Sequence, residues 1–355
     1  VLYNFTGDGD GGNPIGLILS GDGNLYGITT QGGSSQDLNP AGTLFKLTAA
    51  GTFTTLFTFP GELEAGGEPS TLIEGSDGNF YVTTDSTGLG EGNGSVLKIT
   101  SAGASTVLCG FPNDSFPRSL VKGSDGALYG LADDDCAGNH PERFGVVYKA
   151  TSSGVFTTLY AFTGTSDGNN PRNLIEGRDG NLYGTTLRGG AGGGGTVFKL
   201  TSAGVLTTLY SFAGGTNFIA FGPFNFIGSS DGNFYGTRAF SDNNGNDFGT
   251  VFELTPEGVY TTLYSYSGAD SSVQTLLEGT DGNLYGTTVS VLSAGSDPGT
   301  LFRLTPAGVY TTLHSFAPGR DGSSPVSLVL SSDGTLYGTT RSGGLHGYGT
   351  VFKFD

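Results

Sequence analysis

Apolar and β-branched residues arrive along this chain in short runs of about four to eight, the length of strands. No window repeats them at helical spacing over three turns. The stretch 172–212 is representative, with runs at 172–176, 181–186, 196–201 and 205–212. The first two are joined by Gly-Arg-Asp-Gly-Asn, where glycine admits positive φ and aspartate bonds its own backbone. The spacing predicts four antiparallel strands in each such unit and no helix.

The unit returns seven times. Asp-Gly-Asn-Leu-Tyr-Gly-Thr-Thr, or a near copy, places Tyr26, Tyr81, Tyr129, Tyr183, Tyr235, Tyr285 and Tyr337 at intervals of 55, 48, 54, 52, 50 and 52 residues. After each come a variable loop, Gly-Thr-Val-Phe-Lys-Leu-Thr, a short Ala-Gly-Val turn and Thr-Thr-Leu-Tyr-Ser-Phe. A second variable loop leads to Pro-x-x-Leu-Ile-Glu-Gly. Four-stranded units at this period pack radially. The expectation is an all-β, seven-bladed β-propeller of four-stranded antiparallel blades, one domain over 1–355. Its repeats fall at about 5–59, 59–111, 111–162, 162–212, 212–266, 266–316 and 316–355 plus 1–5. An open solenoid is the alternative. Val1-Leu2-Tyr3-Asn4-Phe5 copies the fourth strand of a repeat (Thr208-Leu209-Tyr210-Ser211-Phe212), whereas the last repeat stops at its third, Val351–Asp355. Strand 1–5 should therefore pair with 349–354 and close the ring, hiding two sheet edges.

The string Gly-x-Asp-Gly-Asn-Leu-Tyr-Gly-Thr-Thr, then Gly-Gly, then Gly-Thr-Val-Phe-Lys-Leu, resembles the tandem repeat of Gloeobacter and Verrucomicrobia (GloVer). Positions 177–200 fit it best, and the resemblance covers essentially the whole chain. The third repeat departs most, with Gly-Leu-Ala-Asp-Asp-Asp-Cys in place of Gly-Thr-Thr, and the fifth and sixth lose the Gly-Gly loop. The resemblance implies an extracytoplasmic repeat protein and carries over no catalytic residue.

Composition narrows the partners. Of 355 residues 65 are glycine, without the every-third pattern of collagen, and 32 acids against 15 bases leave a charge of -17. That field disfavours nucleic acid, and no apolar run approaches the roughly 20 residues of a membrane span. Acidity, few lysines, repeats and absent methionine lean extracellular, and Val1, inside a strand-like segment, reads as the start of a processed chain. Cys109 and Cys136 should lie on one face in adjacent blades, either as a disulfide or as two buried thiols. Asn4, Asn93 and Asn113 open N-glycosylation triplets.

A residue present in every repeat serves the blade. On that ground the turn aspartates Asp22, Asp77, Asp125, Asp179, Asp231, Asp281 and Asp333 and the bases Lys46, Lys98, Lys149, Lys199, Arg303 and Lys353 are scaffold. Seven other bases, all arginine, map to the long loops or the strand ends that feed them: Arg118, Arg143, Arg172, Arg188, Arg238, Arg320 and Arg341. A guanidinium fork suits carboxylates, so these are the candidate substrate-binding residues, with local pairing to acidic loops as the alternative. His140, His346 and Tyr348 break the repeat in long loops and are the candidate catalytic groups; His314 replaces a packing tyrosine. No cofactor is required, although Asp133-Asp134-Asp135 and Asp8/Asp10 could hold a structural calcium.

Three functions compete. The first is an extracellular protein that binds an acidic, uronate-bearing polysaccharide and cleaves it by β-elimination, with arginine neutralising the carboxylate and His or Tyr moving protons. Phe144, Phe218, Phe221, Phe240 and Tyr348 would stack on the sugars. The second is a non-catalytic lectin-like binder or surface scaffold. The third is a glycoside hydrolase using loop acids (Glu62, Glu64, Glu68, Asp85, Glu91, Asp114, Asp167, Asp242, Asp247, Asp270), among which no spacing selects a pair. Oligomeric state is not legible.

Overall fold

A computed structural model gives the architecture. It describes all residues except 34–40, 61–66, 86–93, 113–114, 141, 215–217, 221–222, 243–246, 268–271 and 290–297; of 218–220, 239–242, 247–248 and 267 only the backbone is described. Seven antiparallel sheets follow one another along the chain. In blade four the strands are Asn169–Glu176, Leu182–Arg188, Gly193–Leu200 and Leu206–Ala213, from the inner strand outward. The inner strands touch their neighbours in an unbroken cycle, the last (Ser323–Leu330) meeting the first (Gly12–Leu19). The array is thus a closed seven-bladed propeller, and the solenoid alternative falls.

The chain start supplies the closure. Tyr3–Asn4 pairs with Thr350–Phe354, Tyr3 opposite Val351 and Asn4 opposite Thr350. Leu2 N–H donates to the Val351 carbonyl at 2.8 Å and Phe5 N–H to that of Gly349 at 3.1 Å. Phe5 is wholly buried, and its counterparts Phe59, Phe111, Phe162, Phe212, Tyr266 and Phe316 at the ends of the other outer strands are buried too.

The repeated Tyr-Gly pair has a packing reason. A Cβ at Gly184 would lie 2.4 Å from the Phe198 ring, and Gly27, Gly236, Gly286 and Gly338 are in the same position beneath Phe45, Phe252, Phe302 and Phe352. The second strand must be bare there so that the third strand's aromatic can lie across it. Blade two exchanges the volumes: Val82 stands at the glycine position and Leu97 at the phenylalanine position, both buried. The tyrosines themselves bridge blades, Tyr26 against Phe80 and Tyr183 against Phe234 with centroids 4.5 and 4.4 Å apart.

Blade three carries Tyr148 where most blades carry Phe. Its hydroxyl is buried and unpartnered, and burial pushes its pKa well up. An orphaned buried hydroxyl costs about 1–3 kcal/mol, whereas phenylalanine already fits this slot elsewhere in the ring. Tyr148→Phe should therefore stabilise the protein by about 1 kcal/mol, read as a higher urea midpoint at unchanged slope. A lower midpoint would show that the hydroxyl has a partner.

The turn between inner and second strands is rigid for a reason legible in every copy. Gly180 has φ of 73° with open space around it, so backbone conformation selects it there. Asp179 accepts from Asn181, from the Tyr183 hydroxyl at 2.8 Å and from Lys199 Nζ at 2.8 Å. Lys46–Asp22, Lys98–Asp77 and Lys149–Asp125 repeat the ion pair, which confirms these residues as scaffold. Cys109, in the outer strand Ser105–Gly110, and Cys136, in the next blade's loop, form a disulfide with Cα atoms 6.1 Å apart. Closing a loop of 27 residues is worth roughly 3.5 kcal/mol in the chain-entropy account. No helix among the described residues is long and apolar enough to cross a membrane.

Candidate functional site at the channel mouth

Inner strands border the central channel, and six of them are interrupted by a β-bulge one residue after the proline position. A bulge turns one side chain out of register with the pleat. The bulge residues are Ile15, Ser70, Arg118, Arg172, Gln274 and Val326, so blades three and four alone among these place a cation there. Sequence comparison grouped the seven arginines by face; the bulges separate these two from the rest.

Arg118 is held by Asp133, the residue after the second strand of its own blade, through Nε–Oδ1 at 3.3 Å and Nη2–Oδ2 at 2.9 Å. Arg172 has no such partner. Its Nε is buried without a hydrogen bond, and no carboxylate among the described residues ion-pairs with it. Burial and then the Arg118 charge lower its pKa, against the opposing pull of Asp133 and Asp85. As a guanidinium it stays charged at any physiological pH.

Asp85 completes the group from blade two. It ends the second strand Phe80–Asp85, directly opposite Glu68 on the inner strand Glu68–Glu74. One carboxylate oxygen is buried and unpartnered. Burial raises its pKa; Asp133 and Glu68 push the same way, and Arg118 and Arg172 oppose them. Three consecutive blades thus contribute Asp85 and Glu68, Arg118 and Asp133, and Arg172 to one electrostatic cluster.

The other arginines stand apart from that cluster. Arg238 Nη2 donates to the Ala213 carbonyl at 2.7 Å, and its guanidinium lies 5.0 Å from the Phe212 ring centroid. Arg143 sits in its loop at φ of 56°, its N–H donating to the His140 carbonyl. Arg188, Arg320 and Arg341 are exposed.

Among the candidate proton carriers, His140 is half-buried, its N–H donating to Asp134 Oδ1 at 2.8 Å and its Nε2 3.6 Å from Asp135 Oδ2. His346 is exposed in blade seven, separated from His140 by two blades one way round and three the other. Tyr348 is 44% exposed and lies over the next blade's entry loop, where a Cβ at Gly7 would come within 2.6 Å of its ring. Phe144 covers Gly164 in the same way. Of the other proposed stacking residues, Phe221 lies outside the described residues, and the side chains of Phe218 and Phe240 do as well.

His314 bonds Asp321, just as Tyr3 bonds Asp10 and Tyr160 bonds Asp167. Each aspartate also accepts a main-chain N–H four residues back, from Ala317, Thr6 and Thr163. Asp10 and Asp167 therefore staple the loops that enter blades one and four, and His314 is a packing residue. The acidic run of blade three divides its work: Asp133 holds Arg118, the buried Asp134 accepts from Asp135 and His140 N–H, and Asp135 accepts from Ala137 and Asn139 N–H. Among the described residues no three His, Cys, Asp or Glu side chains gather to hold a metal ion. Glu62, Glu64, Glu91, Asp114 and Asp270, with the glycosylation triplets at Asn93 and Asn113, lie outside the described residues, and the side chains of Asp242 and Asp247 do too. Asn4 lies in the closing strand, its Oδ1 accepting from Leu345 N–H at 3.0 Å.

Two clefts open on the opposite, short-turn face. One of about 370 Å³ between blades four and five is lined by Ile175, Arg178, Tyr183, Phe234, Pro256 and Glu278. One of about 250 Å³ between blades six and seven includes Arg303, Leu313, Leu330 and Phe354. Their walls are the repeated scaffold residues, with Glu278 already tied to Ser229 and Ser230.

Comparison with known proteins fits the architecture. Virginiamycin B lyase from Staphylococcus aureus superposes with a TM-score of 0.62 at 16% identity, over 96% of this chain and 94% of that one. Its catalytically inactive histidine-to-alanine variant with quinupristin gives 0.63 at 16%, over 98% and 97%. PorZ of Porphyromonas gingivalis, an essential bacterial surface component of the type-IX secretion system, gives 0.60 at 13%, over 98% of this chain and 48% of that one, so the chain spans about half of PorZ. At such identities the likeness is one of fold. No curated protein matches the sequence. The family model of the Gloeobacter/Verrucomicrobia repeat matches residues 1–140, 92–289 and 271–355, together the entire chain, and the protein belongs to that family.

Proposed function

We propose that this propeller is an extracellular or cell-surface binder of acidic, uronate-bearing polysaccharide, with Arg172 receiving the sugar carboxylate at the channel mouth. The observation that carries the reading is the buried, unpartnered Nε of Arg172 at a bulge beside the channel, where the other bulge cation, Arg118, is already paired. A guanidinium fork with its hydrogen bonds unmade gains most from a planar carboxylate. The extracellular placement draws on the acidic composition, the disulfide, which persists in oxidising compartments, and the fold-level likeness to a bacterial surface component. Binding without cleavage is the version favoured here. Elimination by the candidate histidines or tyrosine would need one of them beside the bound carboxylate, whereas His346 and Tyr348 stand in blade seven and His140 turns to Asp135.

Calorimetry with polygalacturonate oligomers tests this. Arg172→Ala should weaken binding at least about tenfold, the worth of one charge-assisted contact, while Arg188→Ala and Arg341→Ala leave it unchanged. Equal affinity for a carboxyl-reduced polymer, or an unaffected Arg172→Ala variant, would overturn the assignment. Appearance of an unsaturated uronate during the titration would restore the cleaving version.

A further inference from the structure

The cluster around Arg172 holds two cations, Arg118 and Arg172, against three carboxylates, Asp85, Glu68 and Asp133. With every group ionised it carries one net negative charge, in a chain already at -17. An arriving carboxylate would meet repulsion from the group meant to hold it. One carboxylate has to be neutral for the site to work as an anion receptor, and the geometry distinguishes the three. Asp133 already accepts from the paired nitrogens of Arg118. Glu68 is exposed to water. Asp85 has an oxygen cut off from water with no donor to satisfy it, facing Glu68 across the ladder.

We propose that Asp85 takes up a proton when the site takes up a carboxylate ligand, so that this one residue sets the pH at which acidic polysaccharide is held. The inference rests on the reading of Arg172 given above. Glu68 lies opposite Asp85 in its own sheet, and the other charges whose fields reach it are Arg118 and Asp133 from blade three and Arg172 from blade four. Protonation removes an anion from beside Arg172 and turns the orphaned acceptor into a donor, which a sugar carboxylate or hydroxyl can accept. Burial, the largest influence on Asp85, already favours the neutral form.

The experiment is calorimetry of polygalacturonate oligomers at about pH 5 and about pH 8, near physiological salt so that the remote charges are screened. Two buffers of different ionisation enthalpy report the protons taken up. The native protein is expected to bind about tenfold more tightly at the lower pH, with proton uptake at the higher one. Asp85→Asn, close to isosteric, should bind at both pH values with the native low-pH affinity and take up no proton. An Asp85→Asn variant as pH-dependent as the native protein would overturn the proposal, as would a native titration without proton uptake, which needs no variant. If Asp85→Asn behaves natively while Arg172→Ala still weakens binding, the proton coupling fails and the binding site stands. Absence of binding at either pH removes both.

Discussion

Phe5→Ala is expected to cost as much as Phe162→Ala, about 3–5 kcal/mol, although one residue lies at the start of the chain and the other in its middle. Ends of chains usually fray and tolerate change. Here Phe5 is wholly buried, packs edge-on against Phe45 and Phe53 at 5.3 and 5.8 Å, and joins Leu17, Leu25, Leu47 and Val351 in one cluster. Tyr3 stacks on Phe53 at 4.3 Å and donates to Asp10. At this length about 1 kcal/mol moves the melting temperature by about 1.3 °C, so either substitution should lower it by about 4–7 °C. Removing residues 1–5 should cost about twice as much, because it also strips the backbone partners from Thr350–Phe354 and leaves an open sheet edge. A Phe5→Ala protein that melts with the native one would mean that the first strand is not seated, and the ring would then have no closure.

How much of this was legible in the sequence divides along one line. Repetition exposed everything that serves all blades: the strand runs of 172–212 coincide with the observed strands apart from an overrun of one residue at 181, 201 and 205, the Asp-Gly turns lie where glycine and aspartate demand them, and the ends revealed the closure because residues 1–5 copy an outer strand. Even the deviant second repeat obeys the same packing rule, Val82 and Leu97 exchanging volumes. The cluster at the channel mouth was harder to see. Arg118 and Arg172 were visible as arginines after a proline, but seven arginines looked alike until the bulges set two apart. Asp85 was one acid among many, since nothing local marks an oxygen that loses water only when blades two, three and four come together. Aligning the residue after the inner-strand proline (Ile15, Ser70, Arg118, Arg172, Phe224, Val326) would have shown the asymmetry, because a scaffold position does not change from isoleucine to arginine without a use. The reverse happened with Asp10 and Asp167. Their regular seven-residue distance from Tyr3 and Tyr160 was in plain view, and the structure makes each a loop staple.

Acid should unfold this protein through its turns. Burial tends to raise the pKa of Asp22, Asp77 and Asp179, but hydrogen bonds from Asn24, Asn79 and Asn181, from the tyrosines and from the lysines outweigh it and hold all three well below the usual carboxylate range. Asp125 is brought down to about 2, chiefly by Lys149. Burial also raises Asp231 and Asp281, but hydrogen bonds from their turns outweigh it, and Asp333 is lowered chiefly by the Thr335 backbone. For a carboxylate depressed on folding, the stabilisation is complete above the unfolded value of about 3.9 and is lost as pH falls through the folded value. The turns are largely exposed, so solvent screening reduces each contribution to about 0.5 kcal/mol, or roughly 3 kcal/mol for the six with some burial. Above that range the excess of acids acts the other way, since self-repulsion at -17 eases as the protein approaches its isoelectric point near 4.3. Melting temperature should therefore hold or rise slightly from pH 7 to about 5 and fall below about 4. Asp179→Asn isolates the cause. It should lower the melting temperature at neutral pH by about 1 °C and flatten the acid limb, because one of the titrating turns is gone. An acid limb as steep in that variant as in the native protein would assign acid unfolding to net charge alone.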